Sequence, residues 1–238
     1  MTNQSTPLFH RTIRSFVLNR GRLTAGQRLA LEQAWPLYGL NIDDGLIDLS
    51  QVFSRNAPTI LEIGYGMGRS LVHMAQVYTD KNFIGVEVYR PGVGCLLRAL
   101  NTMQLGNVRT YNDDAIQVLK HCIPNASLAA IHLYFPDPWP KKRHHKRRIV
   151  QDDFVELAAE KLCAEGYLHF STDWQDYAEH MMTVMLRSPS FTNRASGAAY
   201  VERPDFRPET KFERRGKRLG HKVYDLIFDK CADALDET

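Results

Sequence analysis

From about Pro58 onward, short apolar runs alternate with longer stretches of helical period. "TILEIG", "NFIGVEV", "NVRTYN", "LAAIHLYF" and "YLHFST" read as strands, rich in β-branched and aromatic residues and closed by Gly, Pro, Asn or Asp. Between them, "RSLVHMAQVY", "GVGCLLRALNTMQ", "DAIQVLKHC" and "QDDFVELAAEKL" carry apolar residues at helical spacing, and "WQDYAEHMMTVML" follows the fifth strand. "HKVYDLIFD" near the end alternates like a further strand. Strands separated by helices of this length require crossovers, which produce a mostly parallel sheet with helices on its faces. A chain of 238 residues that is 44% hydrophobic can build such a core as one domain. The first forty residues have no clear period. Residues 1–40 are therefore expected to be a basic extension, in part disordered, and residues 41–238 the main domain.

Several classes are excluded. No run of eighteen apolar residues exists, so no membrane span is expected. The opening "MTNQSTPLFHRTIRSFVLNRGR" lacks the apolar centre of a secretion signal. Cys95, Cys122, Cys163 and Cys231 are far apart and form no C-x-x-C pair, which favours reduced thiols, a cytoplasmic location and no metal site. The net charge is only +3, but its distribution is uneven: residues 141–148 hold six Lys/Arg and no acid, and residues 1–31 hold five Arg and no acid. Cationic patches on an otherwise acidic chain suggest a polyanion met on one face.

Ligands of open parallel sheets bind beyond the carboxyl ends of the strands. Each of the first five predicted strands ends near a carboxylate: Glu62, Glu87, Asp113–Asp114, Asp137 and Asp173. In the first turn, "LEIGYGMGRS" places Gly64, Gly66 and Gly68, which allow a tight turn and close approach of a ligand to backbone N–H groups. The dinucleotide fingerprint would require glycine at Arg69. The pattern here, E-x-G-x-G-x-G, resembles the first motif of class I S-adenosylmethionine-dependent methyltransferases. That resemblance implies a Rossmann-like α/β fold with a mostly parallel seven-stranded sheet flanked by helices. Glu87 suits the ribose hydroxyls of either cofactor class. Asp114 is expected at the adenine amino group, or as the N-cap of the following helix. Glu62 is expected at the methionine amino group, or paired with a nearby cation within the strand.

"FPDPWPKKRHHKRR" follows the fourth strand. Pro138 pushes Asp137 toward extended geometry, and Pro136 fixes its own φ. "PDPW" resembles the D/N-P-P-Y/F/W motif of methyltransferases acting on base amino groups, although here the second proline follows tryptophan. Together with "STDWQDY" and "RPETKFERRG", the stretch closely resembles the bacterial tRNA (guanine-N7)-methyltransferase family over roughly residues 55–230. The resemblance implies a cytosolic enzyme that methylates guanosine at position 46 of the tRNA variable loop, so tRNA is the expected partner; apart from it, the chain is expected to act as a monomer or homodimer. The resemblance assigns Glu62, Glu87, Asp114 and Asp137 to S-adenosylmethionine, with Asp137 catalytic. Lys141, Asp173 and the segment Thr210, Lys211, Phe212 and Glu213 fall to the substrate nucleotide. Arg143, His144, His145, Lys146, Arg147 and Arg148 fall to RNA.

Plainer readings stand beside these. Trp139 stacks on a base or anchors its loop; Thr210–Glu213 has capping-box spacing; Asp173 precedes a helix and suits a cap. Two other functions remain compatible with the residues: an exocyclic-amino methyltransferase of nucleobases, and a non-catalytic RNA-binding protein on a methyltransferase fold.

Overall fold

The computed structural model describes residues 14–17, 21–210, 213–214, 218 and 220–231. One eight-stranded sheet runs in the order β1-β4-β3-β2-β5-β6-β8-β7. Its strands are β1 (Gly39–Leu40), β2 (Thr59–Ile63), β3 (Asn82–Val86), β4 (Val108–Tyr111), β5 (Leu128–Tyr134), β6 (Leu162–Thr172), β7 (Phe191–Asn193) and β8 (Tyr224–Lys230). β1 to β6 are mutually parallel along the order, and β8 inserts antiparallel between β6 and β7. The eighth strand beyond the expected seven is the two-residue β1, too short to show a period, which extends the edge beside β4.

Every residue of β2 and β3 is buried, because helices cover both faces. That is why these strands read as continuous apolar runs rather than alternating ones. On one face pack α1 (Ala25–Gln33), α2 (Trp35–Tyr38), α4 (Arg69–Val77) and α5 (Arg90–Met103), through Leu71, Met74, Leu96 and Leu97. On the other lie α3 (Leu49–Phe53), α6 (Ala115–His121), α7 (Asp152–Lys161) and α8 (Gln175–Arg187), through Val118, Leu119, Phe154 and Met181. Within the first forty residues, α1 is held by a Thr24–Gln27 capping box, and the Gln27 amide donates to Pro91 O on α5 at 3.1 Å. No helix among the described residues is long and apolar enough to cross a membrane.

The chain passes from β2 outward to β3 and β4, then returns to place β5 on the other side of β2. This reversal opens a crevice at the carboxyl ends of β2, β3 and β5, the site rule for such sheets.

Candidate active site

A cavity of about 440 Å³ fills that crevice, within the roughly 300–1,000 Å³ of small-molecule sites. Gly64 and Gly66 form one wall, Glu87 and Tyr89 a second, Asp113 to Ala115 a third, and Leu133 to Asp137 a fourth. Gly66 has φ +58°, and a Cβ added there would project into open space, so the turn leaves backbone bare toward the ligand. Gly68 plays a different part. It caps α4 at φ +76°, where a Cβ would lie 2.8 Å from Leu96 Cδ1, and it does not line the cavity.

Glu87 is buried and shapes the turn itself. Its Oε2 accepts from the Gly66 N–H at 2.7 Å and its Oε1 from the Tyr89 N–H at 2.8 Å. Each oxygen keeps a second lone pair for a ligand hydroxyl. Burial raises its pKa, and the two backbone N–H groups oppose the rise. Asp114 both caps and faces the cavity: its Oδ1 accepts from the Ile116 N–H at 2.9 Å at the start of α6. Glu62 sits behind the turn rather than in the cavity wall, 3% exposed, with no hydrogen-bond partner at Oε2. Burial first, and the Glu87 carboxylate second, push its pKa up to about 8.

The Asp137 corner is fixed by more than its prolines. Phe135 and Trp139 hold left-handed φ values of 51° and 46°, and each directly precedes a proline. A left-handed non-glycine residue costs about 1–2 kcal/mol, so the surroundings must enforce both. The Phe135 N–H donates to Ser171 O at 2.8 Å, the Arg148 Nε–H to Pro138 O at 3.0 Å, and the Trp139 indole N–H to Ser15 O at 3.1 Å. Asp137 is exposed at the rim of the cavity; partial desolvation raises its pKa while the Arg147 guanidinium pulls it down.

The basic run forms a 3₁₀ turn, Lys142–Arg147, whose cations divide by direction. Lys141, Lys142, Arg143 and Lys146 are exposed. His144 lies edge-on to Trp139, with ring centroids 5.9 Å apart, and partial burial and four neighbouring cations lower its pKa. His145 Nε2 lies 3.2 Å from Arg148 Nη2. Arg147 stacks 3.8 Å above the Trp139 ring and donates to Arg14 O at 3.0 Å and Phe16 O at 2.9 Å. Arg148 is buried. It ties Pro138 to α8 through a hydrogen-bonded ion pair with Asp176 and lies 4.8 Å from the Tyr177 ring centre. Its position makes it a loop anchor facing inward, not part of the exposed cationic face. Trp139 likewise acts as an anchor, one face covered by Arg147.

Asp173 is half-buried, 3.9 Å from His221 Nδ1. It does not cap α8: the cap residue is Trp174, without a side-chain bond. Thr210 does cap, accepting from the Glu213 N–H at 3.1 Å, while Glu213 Oε2 is taken by Arg207 Nη1 at 2.6 Å. Lys211 and Phe212 lie outside the described residues.

Sequence reasoning missed the strap of Ser15, Phe16 and Val17, which lines the cavity. Nothing periodic announced it; the only signal was that the Arg-rich opening lacks acids.

Residues 56–226 match the family model described as "Putative methyltransferase". A tRNA (guanine-N(7)-)-methyltransferase of Alcanivorax borkumensis is 57% identical over 222 residues, covering 93% of each chain. Proteins of the same name from Pseudomonas aeruginosa and Shewanella amazonensis are 54% and 53% identical, covering 92% and 94% of this chain and 90% and 94% of theirs. Among solved structures, the 16S rRNA methyltransferase KamB aligns with a TM-score of 0.57 at 13% identity over 78% of this chain and 94% of its own, which speaks to the fold alone. With identity above one half along nearly the whole chain, and with the glycine turn, the carboxylate-lined crevice and the Asp137 corner in place, this chain belongs to the tRNA (guanine-N(7)-)-methyltransferase family.

Proposed function

We propose that this chain is a cytoplasmic enzyme, a monomer or homodimer, that methylates N7 of guanosine 46 in the variable loop of tRNA, using S-adenosylmethionine. The observation carrying this is one cavity in which the glycine turn, Glu87, Asp114 and Asp137 share the walls, next to a second cavity lined by Lys146, Arg147 and Arg148 of the cationic turn, with Ser15, Asp114 and Ile149 common to both.

The residues fit the donor. Glu87 offers free lone pairs for ribose hydroxyls and Asp114 an oxygen for the adenine amino group, while Glu62 backs the glycine turn from behind the cavity wall. S-adenosylmethionine supplies an electrophilic methyl on a sulfonium, which the lone pair of guanine N7 accepts with no proton to lose. General-base catalysis is therefore not required of Asp137. Its task is to hold the base edge in line and to stabilise positive charge as it develops on the ring. A flexible carboxylate would do this poorly, and the strained corner supplies the rigidity.

The exposed cations Lys141, Lys142, Arg143 and Lys146 neutralise phosphates, which position the RNA without reading it. Asp173 and the Thr210–Glu213 segment hold the nucleobase edges. Incubation with an unmodified tRNA transcript and labelled donor, followed by nucleoside analysis, tests this. The expected product is 7-methylguanosine, lost when guanosine 46 is replaced. Label on an exocyclic amino group, or none, overturns it.

A further inference from the structure

A line of polar side chains crosses the sheet where an apolar core is expected. Glu62 is paired with His132 and His132 with His169, while Ser171 is paired with Asp225. Side chains two residues apart share a face, so Glu62, His132, Tyr134, His169 and Asp225 stand on one side of β2, β5, β6 and β8. All are buried. Burying so many polar groups is unfavourable unless they are bonded to one another.

Four of the residues around this line form a continuous chain. Tyr134 Oη lies 3.0 Å from His169 Nδ1, and His169 Nε2 lies 2.8 Å from Asp225 Oδ1. Arg207, 1% exposed, closes the far end. Its Nη2 donates to Asp225 Oδ2 at 2.9 Å, its Nε lies 2.7 Å from Oδ1, and its Nη1 donates to Glu213 at 2.6 Å. The directions are set by chemistry. The Asp225 carboxylate only accepts, so Nε2 carries the imidazole proton. Burial disfavours the charged ring, so Nδ1 accepts and the Tyr134 hydroxyl donates. Phe206 caps the chain, edge-on to His169 at 5.6 Å.

The two ends of this chain are what give it meaning. Tyr134 lines the cofactor cavity and lies three residues before Asp137. Glu213 closes the Thr210–Glu213 segment, and its carboxylate is held by Arg207. A network serving stability alone has no need to end at both halves of the site.

We propose that Tyr134, His169, Asp225 and Arg207 are positioning residues that set Thr210 and Glu213 against the Asp137 corner, and so govern the nucleobase step rather than cofactor binding. The inference rests on the function proposed above. Arg207's planar fork grips two carboxylates at fixed angles, which a lysine cannot reproduce.

Arg207→Lys keeps the charge and loses the fork; Tyr134→Phe removes only the hydroxyl. Folding is checked by circular dichroism, donor affinity by calorimetry, and kcat and KM by turnover on the tRNA transcript. Hydrogen exchange is followed in residues 205–214. For Arg207→Lys we expect kcat to fall at least tenfold, donor Kd to stay within twofold and exchange in residues 205–214 to rise; for Tyr134→Phe, a three- to tenfold fall in kcat. Wild-type turnover in both folded variants overturns the proposal. So does a parallel loss of donor affinity, which would make the chain a support of the cavity. If the wild-type chain fails to make 7-methylguanosine, the functional reading fails instead, and the exchange measurement still decides whether Arg207 fixes the segment.

Discussion

The cavity wall and the basic turn beside it are built on opposite logics. In the wall, Glu87 and Asp114 stand just past the ends of β3 and β4, so regular secondary structure aims them, and Asp137 follows β5 on a corner that a few tertiary contacts then lock. In the turn, eight consecutive cationic or imidazole residues look equivalent, and the 3₁₀ geometry that holds six of them does not by itself separate them. Arg148 points into the protein, Arg147 clasps the strap and Trp139, and Lys141, Lys142, Arg143 and Lys146 point to solvent. A site residue placed by a strand end inherits its direction from the sheet; one placed in an irregular turn takes it from tertiary contacts.

The largest effect should come from the wall. Asp137→Asn keeps the shape of the corner and removes the charge, and turnover should fall about 10²- to 10³-fold, the cost typical of one lost electrostatic group. Donor affinity measured alongside should change little. Near-wild-type turnover would leave the rigid corner without a catalytic purpose.

Within the turn, stability separates neighbours that the sequence makes look alike. Arg148→Ala removes a buried side chain, leaves Pro138 O without its donor and breaks the tie to Asp176. It should destabilise the fold by about 3 kcal/mol, from lost packing and a half-buried carbonyl left without its donor. Arg143→Ala, at an exposed position, should stay within about 0.5 kcal/mol. Denaturant unfolding of both measures the difference, and equal values would break the division of the turn into inward and outward halves.

The same contrast explains what could be read in advance. β2 to β6 and the carboxylates at their ends were legible because apolar period and strand termini are local properties. β1 and β7 were not, since two or three residues show no period and are fixed by pairing with β4 and β8. α1 escaped because its buried face is small, Gln27 and Ala30, and its hold is the bond to Pro91 far along the chain. Arg207 and Asp225 carried no signal at all. An arginine within a basic stretch reads as surface, and only the fold turns it toward Asp225 and Glu213.

Glu62 offers a pH test of the turn it lies behind. Its folded pKa of about 8 lies well above the unfolded value of roughly 4.3. Between these values the unfolded chain releases a proton that the folded chain keeps, so stability falls as pH rises, by at most about 1.4 kcal/mol per unit. Below the window both states are protonated and the penalty vanishes. Glu62→Gln cannot ionise, so it should gain stability relative to wild type between pH 5 and pH 8. An unchanged difference across that range, read from unfolding midpoints, would show that Glu62 is ionised in the folded protein and already has a cationic partner.

The smallest effect belongs to the exposed half of the turn and is best read as a slope. Each phosphate contact contributes roughly 0.7–0.9 to the fall of log affinity with log salt. Replacing Arg143 and Lys146 together by alanine should lower the tRNA-binding slope by roughly 1.5, with donor affinity and stability unchanged. Arg147→Ala should behave otherwise: it frees the carbonyls of Arg14 and Phe16 and uncovers Trp139. Because Ser15 and Phe16 line the cavity, donor affinity should weaken along with RNA binding. Filter binding across a salt series, paired with calorimetry of the donor, separates the two patterns. If all three positions changed the slope alone, the turn would be the uniform cationic surface that its sequence suggests, and the strap would owe nothing to it.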